Sequence, residues 1–396
     1  MSWELKSLEN VCSLITDGAH WSPIDIGDGF PMPSVKDMTD NGFDYTNCKK
    51  ISESDFLKLK NSNCSPKLGD VLIAKDGSYL KHCFSFNGEE EIAILSSIAI
   101  FRPNVNIIDS IFLEYLFRSP AIKSLATGYV SGVAVPRIVL KDFKKIQLPI
   151  PSLETQRRIA SILSNYDDLI ENNFKRIKLL EETAQNIYKE WFVNFRFPNY
   201  EHTAFDEVSG FPVGWEMKKL SELVILTMGQ SPKSEFYNEN KEGLPFHQGV
   251  TGYGHRFVSH STYCSVVTRI AEEGDILFSV RAPVGRLNIA PERLIIGRGL
   301  SSIRNKRNCQ SFQLYQLKNH FFQEDLIGGG AIFNSVTKND LENQLMISPL
   351  NEVVDEFERI VKPIDEQIWK LNFQNQKLKE ARDILLPRLM NRTIEV

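Results

Sequence analysis

The stretch LGDVLIAKDGSYL, from Leu68 to Leu80, returns later in the chain as EGDILFSVRAPVG, from Glu273 to Gly285. Both copies contain a Gly-Asp turn signal, an apolar run typical of a short strand, and a loop with a basic residue near its end. The strands are similar, whereas the loops differ. A frame that is kept while its loop tips vary indicates one scaffold that serves two related purposes.

The repeat extends over most of the chain. Further matching segments are WELKSL at Trp3 with WEMKKL at Trp215, GFPMPS at Gly29 with GLPFHQ at Gly243, and LSSIAI at Leu95 with LSSIRN at Leu300. Each half closes on a proline, in KDFKKIQLPIP and NDLENQLMISP, and a helical pattern follows each proline. A period of roughly two hundred residues is too long for a solenoid and predicts duplicated domains related by an approximate twofold axis.

The predicted order is globular unit, helix, globular unit, helix, in the α+β fold class. Short apolar runs broken by Gly, Pro, Asn and Asp predict short strands in each globular unit. In the first, DSIFLEYLFRS has apolar residues at helical spacing, with Asp109 as the N-cap. The predicted domains are globular units at 1–151 and 196–349, the second with a lead-in linker at 196–214, and helical spacer regions at 152–195 and 350–396.

Each helical region is predicted to contain a short helix followed by a long one. The long helices would cover about Asn165–Asn194 and Pro363–Asn391. Ser164 opens a capping-box pattern, SNYD, and Pro363 suits the first turn of a helix. About 26 helical residues at 1.5 Å each would span roughly 39 Å. That length is close to one turn of B-DNA, about 34–36 Å, so a stiff helix pair would suit two contacts one turn apart.

The long helices keep apolar heptad seams, which require a partner helix. The predicted interface residues are Ile170, Asn173, Ile177, Leu180 and Ile187 in the first helix and Leu371, Asn375, Leu378 and Leu385 in the second. Asn173 and Asn375 stand where apolar residues are expected, and such residues can fix the register of a helix pair. Antiparallel pairing of the two helices is predicted, and packing of the stripes on the globular units is the alternative.

The composition is that of an ordinary globular protein, with 42% hydrophobic and 24% charged residues and a net charge of −4. No apolar run reaches the roughly 18 residues that cross a bilayer. Six separated cysteines without a C-x-x-C pair favour core thiols in a reducing, cytoplasmic setting. Residues 243–310 contain nine Lys and Arg against four Asp and Glu, an excess that would attract phosphates. A mixed solvated surface is the alternative.

Motifs of common catalytic machinery are missing from the sequence. It contains no P-loop, no G-x-G-x-x-G, no G-x-S-x-G and no H-E-x-x-H. It also lacks the Asn-Pro-Pro or Asp-Pro-Pro with which amino-methyltransferases hold an extruded adenine. His247, His255 and His260 are spaced by eight and five residues, which matches no standard helical ligand pair. We therefore expect no metal site, and surface or groove-facing histidines instead.

These segments resemble the specificity (S) subunits of type I restriction-modification systems over the whole chain. FPVGWEMKKL, GLPFHQG, GDILFSVRAPVGRLNIA and GRGL are similar to landmarks of the family's two target-recognition domains. IPSLETQRRIASILSNYDDLI and PLNEVVDEFERIVKPIDEQI are similar to its central and distal helical regions. The N-terminal copy departs from the pattern, because it lacks the Pro-x-Gly-Trp lead-in and has KDGSYLK in place of RAPVGR.

The resemblance implies a non-catalytic subunit that recognises double-stranded DNA. Each target-recognition domain would recognise one half of a bipartite site, and the helices would set the gap between the halves. Two methylation (M) subunits would dock along the helices, and restriction (R) subunits would join them. The cofactors S-adenosylmethionine, ATP and Mg²⁺ would belong to those partners, and adenine would be the methylated base.

The candidate DNA-binding residues come from the repeated loops: Lys81, Arg286, Arg281, Arg298, Gln248, Ser34, Tyr253, His255, Arg256, His20 and Gln230. Lys81 and Arg286 stand at equivalent loop ends and are predicted to contact phosphate, with a solvated surface cation as the alternative. Arg281 and Arg298 could bond guanine bidentately. Gln248 could bond adenine, with Ser34 as its counterpart.

Two other classes of function remain open in the sequence. A structural adaptor could clamp partner proteins with the helix pair and bind protein or glycan with the globular units. The heptads fit that role equally well, whereas the local basic excess and the loop variation favour DNA recognition. A stand-alone nuclease or methyltransferase is disfavoured by the missing motifs.

Overall fold

A computed structural model describes residues 3–77, 79–132, 136–321 and 335–396. The chain forms two compact units: unit 1 contains residues 1–173 and 373–396, and unit 2 contains residues 174–372. Each unit therefore includes part of both long helices, whereas the sequence-based division set the helical regions apart. Among the described residues, no helix combines the length and apolar character that crossing a membrane requires.

Unit 1 contains eight strands in its described residues. They are β1 (Glu4–Ser7), β2 (Cys12–Asp17), β3 (Phe30–Pro31), β4 (Lys50–Ile51), β5 (Val71–Ala74), β6 (Cys83–Ser85), β7 (Ile98–Pro103) and β8 (Gln147–Ile150). Its helices are α1 (Leu8–Val11), α2 (Glu53–Asn61), α3 (Ser110–Arg118), α4 (Pro120–Thr127), α5 (Leu140–Phe143) and the start of α6 (Leu153–Tyr188). The main sheet is antiparallel in the order β2-β7-β5-β6, and its core is continued by Phe112 and Phe117 of α3.

Unit 2 repeats this plan with more strands in its described part. They are β9 (Glu216–Lys219), β10 (Val224–Met228), β11 (Tyr237–Asn238), β12 (Leu244–His247), β13 (Tyr263–Cys264), β14 (Ile270–Ala271), β15 (Ile276–Ser279), β16 (Leu287–Ile289), β17 (Leu294–Ile296), β18 (Leu300–Asn305) and β19 (Leu345–Ser348). Its helices are α7 (Leu220–Leu223), α8 (Gln310–Phe321), α9 (Lys338–Glu342) and the start of α10 (Asn351–Met390).

The two main sheets have the same connectivity. The order β10-β18-β15-β16 in unit 2 matches β2-β7-β5-β6 in unit 1, and the pair β9-β19 matches β1-β8. Unit 2 adds a five-stranded sheet, β11-β13-β12-β17-β14, where unit 1 has only the pair β3-β4 among its described residues. The predicted α+β class with two repeated globular parts and two long helices is confirmed.

In each unit the buried carboxylate of the aspartate fixes the repeated Gly-Asp turn to the sheet. Asp70 accepts hydrogen bonds from Arg102 on β7, and Asp275 accepts one from Arg304 on β18, the same position of the other sheet. Each carboxylate also accepts from the backbone N–H three residues earlier, at 2.8 and 2.9 Å. Because the glycine before each aspartate has a φ near +80°, only a residue without Cβ enters this turn freely.

One predicted match in the repeat is wrong in register. In unit 1 Ala74 lies opposite Ile98, whereas in unit 2 Ser279 lies opposite Leu300. Ile98 is therefore the counterpart of Leu300, and Leu95 precedes its strand by three residues. The identical letters LSSI mislead because Leu95, Ser96 and Ser97 lie before β7 in unit 1, whereas the same letters form the start of β18 in unit 2.

The predicted breaks in the helical regions are also wrong, since α6 and α10 are continuous. Ser164 caps no new helix, and its hydroxyl donates to the carbonyl of Ser161 within the same helix. Pro363 lies inside α10, where it lacks an N–H for the preceding turn, at a cost of about 3 kcal/mol. Buried Val361 and Ile368 continue the apolar stripe past the proline, and their burial offsets that cost.

Within unit 1, α6 and the end of α10 pair through buried amides. The Nδ2 of Asn173 donates to Oδ1 of Asn375 at 2.9 Å, and the Nδ2 of Asn375 donates to the carbonyl of Ile170 at 3.3 Å. Asn173, Asn375 and Ile170 are all buried. Leu378 and Leu385 are half-buried, and Leu385 packs against the core of the unit.

Within unit 2, the helices pair with each other and with the globular part. Ile177 of α6 and Leu371 of α10 share one buried cluster with Phe257, and Leu180 packs at its edge. Ile187 packs against a second, aromatic-rich cluster. Helix pairing and packing on the globular part, which the sequence left as alternatives, thus occur together.

Candidate nucleic-acid interface

One end of the main sheet of unit 2 brings together several predicted site residues. We call the end where β10 finishes and β18 begins the sheet end of unit 2. A Cβ on Gly229, just after β10, would lie 2.1 Å from the carbonyl oxygen of Gly297, just before β18. Only glycine allows these two loops to approach so closely. The residues beside the strand termini at this end are Gln230, Arg281, Arg286 and Arg298.

Ser231 connects three loops at the sheet end of unit 2. Its hydroxyl donates to Oε1 of Gln248 at 2.7 Å and accepts the backbone N–H of Arg298 at 3.1 Å. The carbonyl of Gln248 accepts the N–H of Gly299 at 3.0 Å. Gln248 is exposed, and its Nε2 has no partner among the described residues. Its amide is therefore held at one end and keeps two donors and a lone pair for a further contact.

Arg281 and Arg286 flank the loop that joins β15 to β16. The hydroxyl of Ser279 donates to the carbonyl of Pro283 at 2.6 Å and accepts the N–H of Arg286 at 2.8 Å, which closes the loop. Arg281, Arg286 and Arg298 are exposed. No carboxylate of the described residues lies within ion-pair distance of these three guanidinium groups. They are thus available for phosphate or for the acceptors of a guanine.

Arg269 belongs to the same loops, although no motif indicated it. Its carbonyl accepts the N–H of Ile296 at 2.9 Å, and the neighbouring Thr268 donates its hydroxyl to the carbonyl of Gln230 at 2.7 Å. Arg269 is exposed and forms no ion pair within the described chain. The local basic excess was the only signal in the sequence that included it.

The corresponding sheet end of unit 1 has the same close approach but different side chains. A Cβ on Gly18 would lie 2.1 Å from the carbonyl oxygen of Ile94. His20 is exposed, and its Nε2 lies 3.2 Å from Oδ1 of Asp17. The other oxygen of Asp17 lies 3.3 Å from the Nζ of Lys75, a lysine that is only 7% exposed. A buried ion pair therefore supports this end of unit 1.

Ser34 is the counterpart of Gln248 but has a structural bond of its own. Its hydroxyl and its N–H donate to Oδ2 of Asp37, at 2.9 and 2.8 Å, and cap a short 3-10 turn. The hydroxyl can still accept a hydrogen bond. Arg137, which the sequence did not indicate, is exposed beside this sheet end and lies opposite Asp76 in a backbone bridge. Its surroundings contain no repeated string that could have revealed it.

Lys81 is exposed, but it is not the counterpart of Arg286. The carbonyl of His82 accepts the N–H of Ala74, just as the carbonyl of Arg286 accepts the N–H of Ser279. His82 therefore occupies the position of Arg286, and its Nδ1 lies 3.2 Å from a carboxylate oxygen of Asp40. The expected match fails by one residue because the two loops differ in length.

Arg256 is withdrawn from the candidate set, because it is an internal ion-pair residue of unit 2. It is 5% exposed, and its guanidinium bonds Glu181, Asp365 and the hydroxyl of Tyr315. Burial opposes its charge, but Asp365, Tyr315 and Glu181 outweigh that effect and raise the pKa of Arg256. His255, which is exposed, also faces Glu181, with its Nδ1 at 3.4 Å.

Tyr253 is also withdrawn, because it packs into a core cluster of unit 2. Its hydroxyl is buried without a hydrogen-bond partner among the described residues, and burial raises its pKa. Nearby, the Nε2 of His247 lies 2.8 Å from the Nδ1 of His260. Burial, with His260 beside it, lowers the pKa of His247 to about 4, so this ring is neutral at pH 7.

Neither a metal cluster nor a disulfide is formed in the part of the chain that the structure describes. No three His, Cys, Asp or Glu side chains there are placed to hold a metal ion. All six cysteines are free thiols, and five of them are buried. Burial raises the pKa of the Cys309 thiol to about 11, so it is protonated at pH 7 and a weak nucleophile.

Comparison with known proteins gives a family for this arrangement. The sequence model of the type I restriction modification DNA specificity domain matches residues 2–182 and 212–380. A putative type I restriction enzyme MjaX specificity subunit of Methanocaldococcus jannaschii is 30% identical, and the alignment covers 100% of this chain and 94% of that protein. The type I restriction enzyme HindI specificity subunit of Haemophilus influenzae is 25% identical, with 88% and 93% covered.

A solved structure shares the fold. The type I restriction-modification system S subunit from M. genitalium superposes with a TM-score of 0.59 at 13% identity, covering 98% of this chain and 96% of that one. The two matched segments of the family model correspond to the two repeated globular parts with their helices. The chain therefore belongs to the family of type I restriction-modification DNA specificity subunits.

Proposed function

We propose that this chain is the DNA sequence-specificity subunit of a type I restriction-modification complex and recognises a bipartite site, with one half bound at the sheet end of each unit. The observation that carries the proposal is the duplicated sheet end. The backbone of the two ends is alike, down to Gly18 and Gly229, whereas the exposed side chains differ. One scaffold that presents two sets of polar side chains suits the recognition of two different short sequences.

The charges at the sheet end of unit 2 suit a phosphate-rich partner. Four exposed arginines lie there without ion pairs among the described residues, beside the held amide of Gln248. Cations on phosphates supply position and most affinity, whereas bonds to base edges supply sequence discrimination. Arg286, at the outer strand β16, is proposed for phosphate. Arg281, Arg298 and Gln248 are proposed for base edges, and Gln230, His20, Ser34, Lys81 and His255 are further candidates.

The proposal includes partners and leaves the catalysis to them. Two M subunits would supply S-adenosylmethionine-dependent adenine methylation, and R subunits would supply the ATP- and Mg²⁺-dependent restriction. The chain itself would be non-catalytic, bind none of these cofactors and act in the cytoplasm. Exposed apolar side chains on the long helices, Leu169 and Ile384 in unit 1 and Leu179 in unit 2, support protein docking there.

The test is selection of DNA by the full chain from a randomised duplex pool, alone and with its M partner. We expect one split sequence to be enriched, with affinity that falls steeply as salt rises. The same complex should methylate adenine in that sequence, whereas the chain alone should not. Failure to enrich any sequence, with binding to the M partner retained, would instead identify a protein adaptor.

A further inference from the structure

Asp76 and Arg281 occupy the same position in the two units. Asp76 follows the end of β5 by two residues, and Arg281 follows the end of β15 by two residues. In each unit the carbonyl of the residue before it accepts a backbone hydrogen bond, at 3.0 Å in unit 1 and 2.9 Å in unit 2. Asp76 then lies opposite Arg137 in an antiparallel bridge, as Arg281 lies opposite Ser335. Two backbone contacts thus make the positions equivalent, while the charges of the side chains are opposite.

The charged groups around the two side chains differ as well. Asp76 lies 3.3 Å from the Nζ of the buried Lys75, which also pairs with Asp17. The positions that correspond to Asp17 and Lys75 in unit 2 are Met228 and Val280, which carry no charge. Unit 1 therefore has a built-in cation that holds Asp76, whereas Arg281 has no charged partner among the described residues.

A carboxylate at a DNA-binding surface is normally unfavourable, because phosphates repel it. Lys75 offsets that repulsion and leaves Asp76 with a lone pair to give to a donor. In the major groove the exocyclic amine of cytosine is such a donor. Adenine also presents an amine, but beside it lies the acceptor N7, for which a carboxylate has no donor. A guanidinium has the reverse preference, for the O6 and N7 acceptors of guanine.

We propose that this single position sets opposite base preferences in the two half-sites. Arg281 selects a guanine in the half bound by unit 2, and Asp76 selects a cytosine in the half bound by unit 1. Lys75 is a positioning residue, since it holds Asp76 and touches no base. This inference rests on the proposed function, because it names the base preferences of the same two sheet ends.

The experiment measures binding of the full chain to its selected split site and to duplexes in which each base pair is replaced in turn. We expect Arg281→Gln to lose discrimination for guanine at one position of one half-site, by roughly 5- to 150-fold. Asp76→Asn should lose discrimination for cytosine at one position of the other half-site and gain affinity for adenine there. Lys75→Met should weaken binding of the half-site that unit 1 recognises, while the preferred base there stays cytosine.

The matched control is Glu9→Gln, which removes the same charge at the opposite end of the sheet of unit 1. It should leave the ranking of the bases unchanged at every position. If Asp76→Asn and Arg281→Gln bind the split site with unchanged base rankings, the inference is overturned and the proposed function stands. If the unmodified chain selects no split site, the proposed function fails and the inference fails with it.

Discussion

Asp70 and Arg102 form a two-pronged ion pair within unit 1: the Nε and Nη2 of the arginine donate to the two carboxylate oxygens at 2.9 and 2.8 Å. Asp70 is 1% exposed and directly precedes the strand β5, while Arg102 lies on the neighbouring strand β7. The pair joins the Gly-Asp turn to the sheet. The same pair recurs in unit 2 as Asp275 and Arg304.

Replacing Asp70 with alanine should destabilise unit 1 by about 2–4 kcal/mol, because Arg102 loses its partner and the N–H of Lys67 loses its acceptor. Urea unfolding of the full chain measures the change. Asp275→Ala should have a similar effect on unit 2. Glu9→Ala, which removes an exposed carboxylate, is the control and should cost less than about 0.5 kcal/mol. Equal stability of the Asp70 and Glu9 variants would show that the ion pair does not anchor the turn.

Asn375→Ala should destabilise the helix pair of unit 1 by about 1–3 kcal/mol, because the buried amide of Asn173 would lose its acceptor and the carbonyl of Ile170 would lose its second donor. Replacing Asn173 and Asn375 together with leucine should recover that loss, since no polar group is then left unpaired. Thermal unfolding of the three proteins measures this order. A double variant less stable than Asn375→Ala would contradict it.

Arg286→Ala should weaken binding to all duplexes alike and reduce the slope of log affinity against log salt by about one unit. The reason is that Arg286 is exposed, unpaired among the described residues, and proposed to contact phosphate. Titrations at several salt concentrations give the slope. Arg293→Ala is the matched control. This exposed arginine pairs with Glu272 and precedes the start of β17, whereas the sheet end of unit 2 lies beyond the other end of that strand. An unchanged slope for Arg286→Ala would rule out its phosphate role.

Ser231→Ala should reduce discrimination at the base that Gln248 contacts by a few-fold, because the amide would lose the bond that holds its Oε1. Binding to unrelated duplex DNA should stay the same. Ser231→Thr keeps the hydroxyl and should restore the discrimination. A general loss of affinity, equal for cognate and unrelated DNA, would instead make Ser231 a structural residue only.

Glu358 should make the stability of unit 2 depend on pH. Its carboxylate accepts the N–H of Phe312 at 2.7 Å, and burial, aided by Asp365, raises its pKa to about 7. The folded state thus holds this proton more tightly than the unfolded state does. The resulting stabilisation is fully present below pH 4.5 and is lost as pH rises through 7, a change on the order of 3 kcal/mol.

Urea unfolding of the full chain between pH 4.5 and 8 measures how the stability of unit 2 depends on pH. The variant Glu358→Gln cannot titrate and should show a flatter profile over that range. Glu356→Gln is the control, because the ion pair with Arg359 lowers the pKa of Glu356 below this range. Parallel profiles for the wild type and Glu358→Gln would contradict the prediction.

The sequence predicted the duplication and the sheet strands because apolar runs and Gly-Asp turns are local signals. The sequence-based predictions were wrong where packing between distant segments outweighs a local signal. Ser164 and Pro363 are local helix-start signals, yet both helices continue past them. Buried Leu163 and Ile170 flank Ser164 in α6, and buried Val361 and Ile368 flank Pro363 in α10. The string LSSI was misaligned because letters alone do not show which residue of a strand lies opposite its neighbour.

The candidate site was predictable in part for a similar reason. Gln248 ends a repeated string, and Arg281 and Arg298 lie beside repeated strings, so the sequence analysis included them. Arg256 stands in the same basic stretch, but only the fold shows that Asp365 and Glu181 enclose it. Arg137 and Arg269 lie in segments without a repeat, and Asp76 was overlooked because an acidic residue is not expected beside phosphates. Its meaning depends on its sequence neighbour Lys75, which the fold buries beside Asp17.

The paired glycines Gly18 and Gly229 have a consequence for how such a chain can change. Each locks the start of a loop against the carbonyl of the neighbouring segment, with no room for a side chain. Mutations further along the loop therefore leave its point of departure from the sheet untouched. New target preferences can then arise by exchanging tips one residue at a time, or by swapping a whole unit, without rebuilding the framework that delivers them.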